Sequence, residues 1–492
     1  MAKVRHLLSM LLLMVSVPLW AQEPQQSVRL ELPFKEEETY VEVIPVPDSS
    51  LLLYHKSSNI WATKATFHFS KYDQKLNQSW TNTAELKAEQ YYIRSFTEAP
   101  YTYLIFGGID PQAYTIVRVN LLNGATVTKD YKLEMLDAIY EFTVLQGRYF
   151  IIGKSKNDER PLLLYLNPAR DEIKPLPAVY GDESTFSDLL ADPVHHRMDV
   201  VIAESNGRVA RLQVKSFDPE GELIVNRFVL PYQNYSLLNA EVTPGDSTSK
   251  LLVGTYGSRD IRFAQGFFTT PAVTDNDPPK FYNVLQLNNF LKYMKPRRRE
   301  RIRRREAARL KAGKEPGYHY RMLLHDLITT PTGYIVAAEV YYPQFHSNSY
   351  PSINRTLSFD HNGPDGYKHT QVVAVGFDKA GTLLWDNSFP LQEIVTPRLT
   401  HAVEIGYCPD GRVVMAYPDE EKIVYRIMQE DTYQDEDTEL KILTYNKTDK
   451  ITESGEVGIT YWYGNHFAAF GFERINSPEG VRNVFYINKI SF

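Results

Sequence analysis

The chain has 492 residues, with 54 lysines and arginines against 60 aspartates and glutamates, a formal net charge of −6 that is ordinary for a soluble protein. Its single cysteine, Cys408, excludes an intramolecular disulfide, a cysteine-built zinc site and an iron–sulfur cluster. Stability must then come from the core, which a chain of this length can bury without cross-links.

The N-terminus predicts a cleavable secretory signal over residues 1–21. Lys3, Arg5 and His6 precede an apolar run at residues 7–17, and Ala21 precedes the polar Gln22 and Glu23. The run is shorter than the about 20 residues that a membrane-spanning helix needs. Without Lys3 and Arg5 the remainder, residues 22–492, carries 52 basic against 60 acidic residues, or −8. No cysteine follows the expected cleavage point, so lipidation of a cysteine there is excluded.

From residue 39 onward a weak internal repeat organises the chain. A short apolar run ends in Asp or Asn, a turn follows, and apolar residues resume. The runs before Asp73, Asn120, Asn167 and Asp218 are copies, and these turns lie 47, 47 and 51 residues apart. Asp378 begins a further copy, and Asn446 and Asn488 are looser candidates. Asp and Asn cap such turns by accepting backbone N–H bonds, and Gly221 and Gly381 supply a positive φ three residues after their aspartates. The spacing suits four short antiparallel strands, one β-propeller blade. Two more strand-like runs precede most turns, giving about eight units that start near residues 39, 91, 139, 187, 236, 322, 401 and 458, or seven if one is miscounted. The last unit is one strand short. A lone strand at residues 28–34 is placed to supply it and close the ring, which removes exposed sheet edges. The expected fold is therefore an all-β propeller; a large β-sandwich is the alternative for evenly spaced strands. An outer-membrane barrel, suggested by the terminal aromatic Phe492, needs longer strands than these.

The segment FDKAGTLLW, residues 377–385, and more faintly residues 72–80, resembles the strand–turn–strand repeats of quinoprotein-type propellers. More broadly, the chain resembles exported propeller-like proteins of Gram-negative bacteria. The quinone-dependent dehydrogenases carry a tryptophan in nearly every blade and a pair of adjacent cysteines. This chain has five tryptophans, one of them in the signal segment, and no cysteine pair, so no cofactor is expected.

One region, residues 278–320, interrupts the repeat. Val284, Leu287, Phe290, Leu291 and Met294 fall at helical spacing and predict an amphipathic helix. Pro296 then opens a second helix, PRRRERIRRREAARLKAG, which Gly313 is placed to end. Residues 292–314 hold 12 basic and two acidic residues, leaving −18 for the rest of the mature chain. Arginines are so dense that Ile302 and Leu310 make no apolar seam, so the helix is expected outside any dry core. It either lies against acidic surface of its own domain, with residues 430–439 as the candidate, or docks on a partner. Arg297, Arg298, Arg299, Arg301, Arg303, Arg304 and Arg305 are the candidate contacts, for an envelope protein or anionic lipid. Nucleic acid is disfavoured by export and by the acidic remainder.

No GxSxG elbow, HExxH helix or phosphate-binding glycine loop occurs. The segment at residues 360–366 has Pro364 where a calcium ligand is needed, and His195 and His196 sit in a polar turn, so no metal is expected. His319 and His325 are acid–base candidates only if a pocket surrounds them. The expectation is a non-catalytic binding or scaffold module at the cell envelope, in the periplasm, on the outer-membrane surface or secreted. The alternative is a carbohydrate-active enzyme, hydrolase or lyase, working in the propeller channel, and a glycan is a possible ligand for either. Carboxylates and aromatics converging on the channel mouth would favour the enzyme.

Overall fold

The computed structural model describes residues 23–492 except 58–61, 157–159, 178–182, 208, 233–234, 259, 275–276, 315–316, 346–363 and 433–437. The signal segment, the centre of the acidic candidate at 430–439 and most of the loop at 360–366 lie outside the described residues.

Eight antiparallel sheets form a β-propeller. Blades 1 to 7 cover residues 39–87, 91–132, 136–175, 183–229, 236–283, 321–396 and 404–441, each wound from its inner first strand outward. Blade 6 carries one extra two-residue strand, Ile328–Thr329. Blade 8 takes three strands from residues 450–491 and its outermost from the N-terminal strand β1 (Gln25–Leu32). β1 runs antiparallel to the strand Gly480–Ser491, with Gln25 opposite Ser491 and Leu32 opposite Phe485. Arg29 fastens this seam: it bonds Glu31 and Glu473, each at 2.7 Å, and donates to Leu443 O at 2.9 Å, on the loop after blade 7. The eight-blade count and the N-terminal closure expected from the repeat are both present. The sandwich and barrel alternatives are overturned, and Phe492 packs inside, against Tyr425 and Phe467.

The core lies between blades. The second strand of blade 1, SLLLYHKS, carries the unbroken apolar run Leu51, Leu52, Leu53 and Tyr54 because both of its faces are covered there. Leu52 and Tyr54 pack toward Leu104 and Phe106 of blade 2, while Leu51 and Leu53 pack toward Phe485 and Ile487 of blade 8. Each neighbouring pair of blades encloses such a cluster. At about 25 cal/mol per Å² of apolar surface removed from water, these seams are the main source of stability.

The repeated turns join third to outermost strands. Oδ1 of Asp218 accepts N–H bonds from Glu220 and Glu222 at 2.9 and 2.8 Å, and Asp378 does the same for Ala380 and Thr382 at 2.9 and 2.7 Å. Gly221 and Gly381 hold φ of +77° and +72°. In the first copy the glycine's place is taken by Leu76, at φ +60°, whose side chain is buried between blades 8 and 1. Two candidate turns are corrected. Asn446 lies in the loop between blades 7 and 8. Asn488 sits inside a strand, opposite Ala469 and Arg29, because the fourth strand of that blade arrives from the other end of the chain.

The helix expected over residues 284–294 is also corrected: the segment is a series of turns. Its apolar residues are buried as expected, with Phe290 and Leu291 fully so. The reason lies in Asp386 of blade 6, whose carboxylate accepts the N–H groups of Asn288 and Asn289 at 2.7 and 2.6 Å. Asn289 donates back to Asp386 O at 2.6 Å. Backbone donors held this way are withdrawn from a helical ladder.

Candidate functional site

Two charged regions stand out, the channel wall and the insertion. The channel is built from inner strands. In blades 2 to 5 each inner strand bulges at the same place, between Tyr92 and Arg94, Ile139 and Glu141, Phe186 and Asp188, and Leu237 and Asn239. A bulge re-aims the residue that follows it. Arg94, Glu141, Asp188 and Asn239 are therefore equivalent positions, 47, 47 and 51 residues apart. Asp326 of blade 6 acts electrostatically on Glu141, Asp188, Glu241, Glu404 and His401, so carboxylates of blades 3 to 7 share one space.

The inner strands have no partner strand on the axis side, and side chains of one blade satisfy backbone groups of the next. Asp188 accepts Val242 N–H at 2.8 Å, Glu404 accepts Tyr461 N–H at 2.9 Å, and Arg94 donates to Tyr140 O at 2.8 Å. Glu339 of blade 6 accepts Ala402 N–H at 2.9 Å and Val403 N–H at 3.0 Å. These side chains thus tie blade 2 to 3, 4 to 5, 6 to 7 and 7 to 8.

Their ionisation diverges. Burial, then the charge of Asp326, raises Asp188 to about 7, and burial, then the charges of Asp188 and Asp326, raises Glu241 well above its usual value. Burial, then Glu456, pushes Glu42 up to about 7. Burial also raises Glu141 and Glu404. Glu339 goes the other way. Burial alone would raise it, but bonds from His325 and His369 hold it down at about 2. His325 Nε2 lies 3.0 Å from Oε1, and His369 Nδ1 lies 2.5 Å from Oε2. His401 stacks on His325 at 3.9 Å, its Nε2 2.7 Å from Leu324 O, and burial lowers its pKa. Tyrosines share this wall: Tyr40, 37% exposed, and Tyr92 both neighbour Glu42. Among the described residues no three His, Cys, Asp or Glu side chains are grouped so as to hold a metal ion.

The insertion leads into α1 (Pro296–Lys311). Pro296 opens it, and Gly313, at φ +63°, follows its end, as the sequence predicts. The expectation that the helix stays outside any dry core is corrected. Ile302 joins Phe290 and Tyr320 in the cluster between blades 5 and 6, and Glu306 is buried with its Oε2 accepting Gly317 N–H at 2.7 Å. Leu310 stays exposed. At 3.6 residues per turn, Arg297, Arg298, Arg301, Arg304 and Arg305 fall on the opposite, exposed face. Arg299 and Arg303 are half-buried, and Arg303 donates to Leu287 O at 3.1 Å. Arg304 pairs with Glu300 at 2.9 Å. Among the described residues none forms an ion pair with Arg297, Arg298, Arg299, Arg301 or Arg305. The first turn contains no acid, so three arginines stand at the positive end of the helix dipole.

The arginines expected as contacts are thus brought onto one helix, and five share one face. His195 and His196 lie in a turn, His195 Nδ1 3.0 Å from Asp192. His319 packs on Phe263, apart from the His325–Glu339 pair. The channel acids escaped sequence reasoning. Their only signal was the spacing of Arg94, Glu141 and Asp188, which matches that of the turns at 73, 120 and 167.

No protein-family model matches the chain, and no curated protein matches its sequence. Similar solved structures include the β-propeller domain of the Trilobed protease from Pyrococcus furiosus, at 9% identity and a TM-score of 0.28, over 81% of this chain and 95% of that one. A Synechocystis apocarotenoid oxygenase mutant, Trp149Ala, matches at 9% identity and a TM-score of 0.33, over 47% of this chain and 57% of that one. The cobalt-substituted form matches at 8% and 0.33, over 50% and 64%. The chain thus spans less than two thirds of the length of those two oxygenase structures.

Proposed function

We propose that this protein is an exported, non-catalytic β-propeller that serves as a binding module at the bacterial cell envelope, with α1 as its contact element. One observation carries the reading: Arg297, Arg298, Arg301 and Arg305 on the exposed face of α1 have no ion-pair partner among the described residues, while the channel carboxylates are engaged in tying blades together. Unpaired cations at a helix N-terminus do not stabilise the helix, so their value lies in what they contact. An anionic envelope component, protein or lipid, fits that charge. The signal-like residues 1–21 support export. The test replaces Arg297, Arg298, Arg299, Arg301, Arg303, Arg304 and Arg305 by glutamine and follows crosslinking and fractionation in the native envelope. Loss of both with the propeller still folded is expected; unchanged association would refute the reading.

A second reading, a carbohydrate-active enzyme, is favoured by Asp188 and Glu241, two carboxyls that burial raises, in a channel that also holds Tyr40, Tyr92 and Glu42. A carboxyl of raised pKa is what the general acid of glycoside hydrolysis requires. Release of reducing sugar from envelope polysaccharide, abolished by Asp188→Asn and Glu241→Gln, would establish it. Absence of release by the unaltered protein would remove it.

A further inference from the structure

We propose that the seam between blades 2 and 3 holds a binding site for a small aromatic acid, a planar ring system that carries a carboxylate. The site is separate from α1 and goes beyond the binding-module reading, which does not depend on it.

A cavity of about 420 Å³ opens between these two blades, a size that suits a small molecule. Alternation along the strands of blade 2 sends Tyr103, Ile116, Arg118, Val127, Lys129 and Tyr131 into it. Blade 3 contributes Tyr149 and the turns at residues 146–148 and 167–170. Tyr149 lies edge-on to Tyr103 and Tyr131, with ring centroids 5.5 and 6.2 Å away. These three rings and Ile116 form the buried floor, whereas Val127, Ala169 and Arg170 are exposed at the mouth.

The neighbouring seam shows why the space exists. Val127 lies seven residues after Asn120, as Trp80 lies seven after Asp73, so the two hold the same place in blades 2 and 1. Between blades 1 and 2 the Trp80 indole covers the turn of blade 2. Its Nε1 donates to Leu121 O at 3.1 Å, and a Cβ on Gly124 would stand 2.6 Å from its ring. Lys71, opposite Trp80, pairs with Asp48 at 2.5 Å. Between blades 2 and 3 a valine is too small to cover the equivalent turn. Arg118 stands opposite that valine, as Lys71 stands opposite Trp80, and lies over the Tyr101 ring at 4.8 Å.

Charge narrows the ligand. Among the described residues no aspartate or glutamate lines the cavity, and four cations do. Lys129 is paired with Asp171 at 2.7 Å and Arg148 with Glu220 at 3.2 Å. Neither Arg118 nor Arg170 has an ion-pair partner among the described residues. A ligand that uses the whole cavity therefore needs two parts. Its ring packs against the tyrosines, and its carboxylate accepts bonds from a guanidinium. A bare anion leaves the ring wall uncovered, and a neutral ring leaves the arginines unused.

The probe is indole-3-acetate, titrated calorimetrically into the full chain, with indole and acetate as separate controls for ring and charge. It should bind at least about tenfold more tightly than either control. Arg118→Gln with Arg170→Gln should weaken it at least about fivefold and leave indole unaffected. Val127→Trp places at this seam the side chain that closes its neighbour, and should abolish binding while the melting temperature stays at or above that of the unaltered chain. The arginine pair decides the matter if that variant does not fold. Glutamine at Arg297, Arg298 and Arg301 of α1 should leave the affinity unchanged. No binding at millimolar probe, indole held as tightly as indole-3-acetate, or undiminished binding by the Arg118, Arg170 or folded Val127 variants would each overturn the assignment. So would loss of binding on replacing the α1 arginines, which would place the probe on the helix. Envelope association that survives the Val127 variant keeps the binding-module reading apart from this one.

Discussion

The channel wall and the outer face of α1 hold the charge of this molecule in opposite ways. Channel carboxylates are buried, hydrogen-bonded to amides of the next blade, and in places pushed toward the neutral acid by burial. Five α1 arginines are exposed and gathered on one face, and four of these, Arg297, Arg298, Arg301 and Arg305, are without an ion-pair partner among the described residues. Buried charge that is satisfied locks a geometry, because removing one partner strands the other in a medium of low polarity. Exposed charge of one sign contributes little to folding and acts on what approaches. The contrast predicts that mutations at the two sites should separate cleanly into stability and binding.

The sharpest break would come at Glu339. Glu339→Gln removes the charge that faces His325 and His369 and weakens the tie to Ala402 and Val403. A loss of about 3 kcal/mol is expected by denaturant titration, and a loss under about 1 kcal/mol would contradict the structural role of the channel acids. The pH dependence has a fixed sign. Glu339 has a folded value of about 2, below its usual 4.5, so its contribution is present above 4.5 and lost as pH falls toward 2. The variant should lack that acid limb.

Next in size is Asp386→Ala, which leaves the N–H groups of Asn288 and Asn289 without their acceptor. About 2 kcal/mol should be lost, and hydrogen exchange should quicken over residues 284–294 while the blades stay protected. Uniform loss of protection across the ring would show that the insertion is part of the propeller core rather than clipped to it.

Glu42 tests the opposite sign. Its folded value of about 7 lies above its usual 4.5. Its contribution is therefore complete below 4.5 and fades as pH rises through 7. Glu42→Gln should be more stable than the unaltered chain at pH 8, by about 1–2 kcal/mol, and indistinguishable from it at pH 4. A constant difference across that range would mean that Glu42 ionises freely. The smallest effect belongs to the arginine face. Replacing Arg297, Arg298 and Arg301 by glutamine should change stability by less than about 0.5 kcal/mol, since nothing in the fold relies on them.

Features fixed by short stretches of chain were legible before any coordinates. The turns at Asp73, Asp218 and Asp378 declare themselves because the aspartate, the positive φ and the resuming apolar run lie within about eight residues. Blade count followed from their period, and closure from one unpaired strand. What was missed depends on atoms far apart in sequence. The helix expected at 284–294 fails because of Asp386, about a hundred residues away. Ile302 is drawn into a core formed by blades 5 and 6, which no count of arginines reveals. The channel acids are spread over blades, and bulges in the strand pairing aim two of them, Glu141 and Asp188. Asn446 misled because an asparagine ends many kinds of loop.

The N-terminal strand has one more consequence, for the order in which the ring assembles. Blades 1 to 7 are each continuous in the chain and can form as their residues become available. Blade 8 cannot, because Gln25 must meet Ser491, its partner at the far end of the described chain. β1 must therefore wait unpaired while the rest of the propeller folds. Closing so long a loop costs only logarithmically more than a short one, and a nearly complete ring already holds the two ends together. The clasp is thus the last pairing that the ring makes: a chain without β1 keeps three strands of blade 8 but leaves the edge of the strand Gly480–Ser491 unpaired.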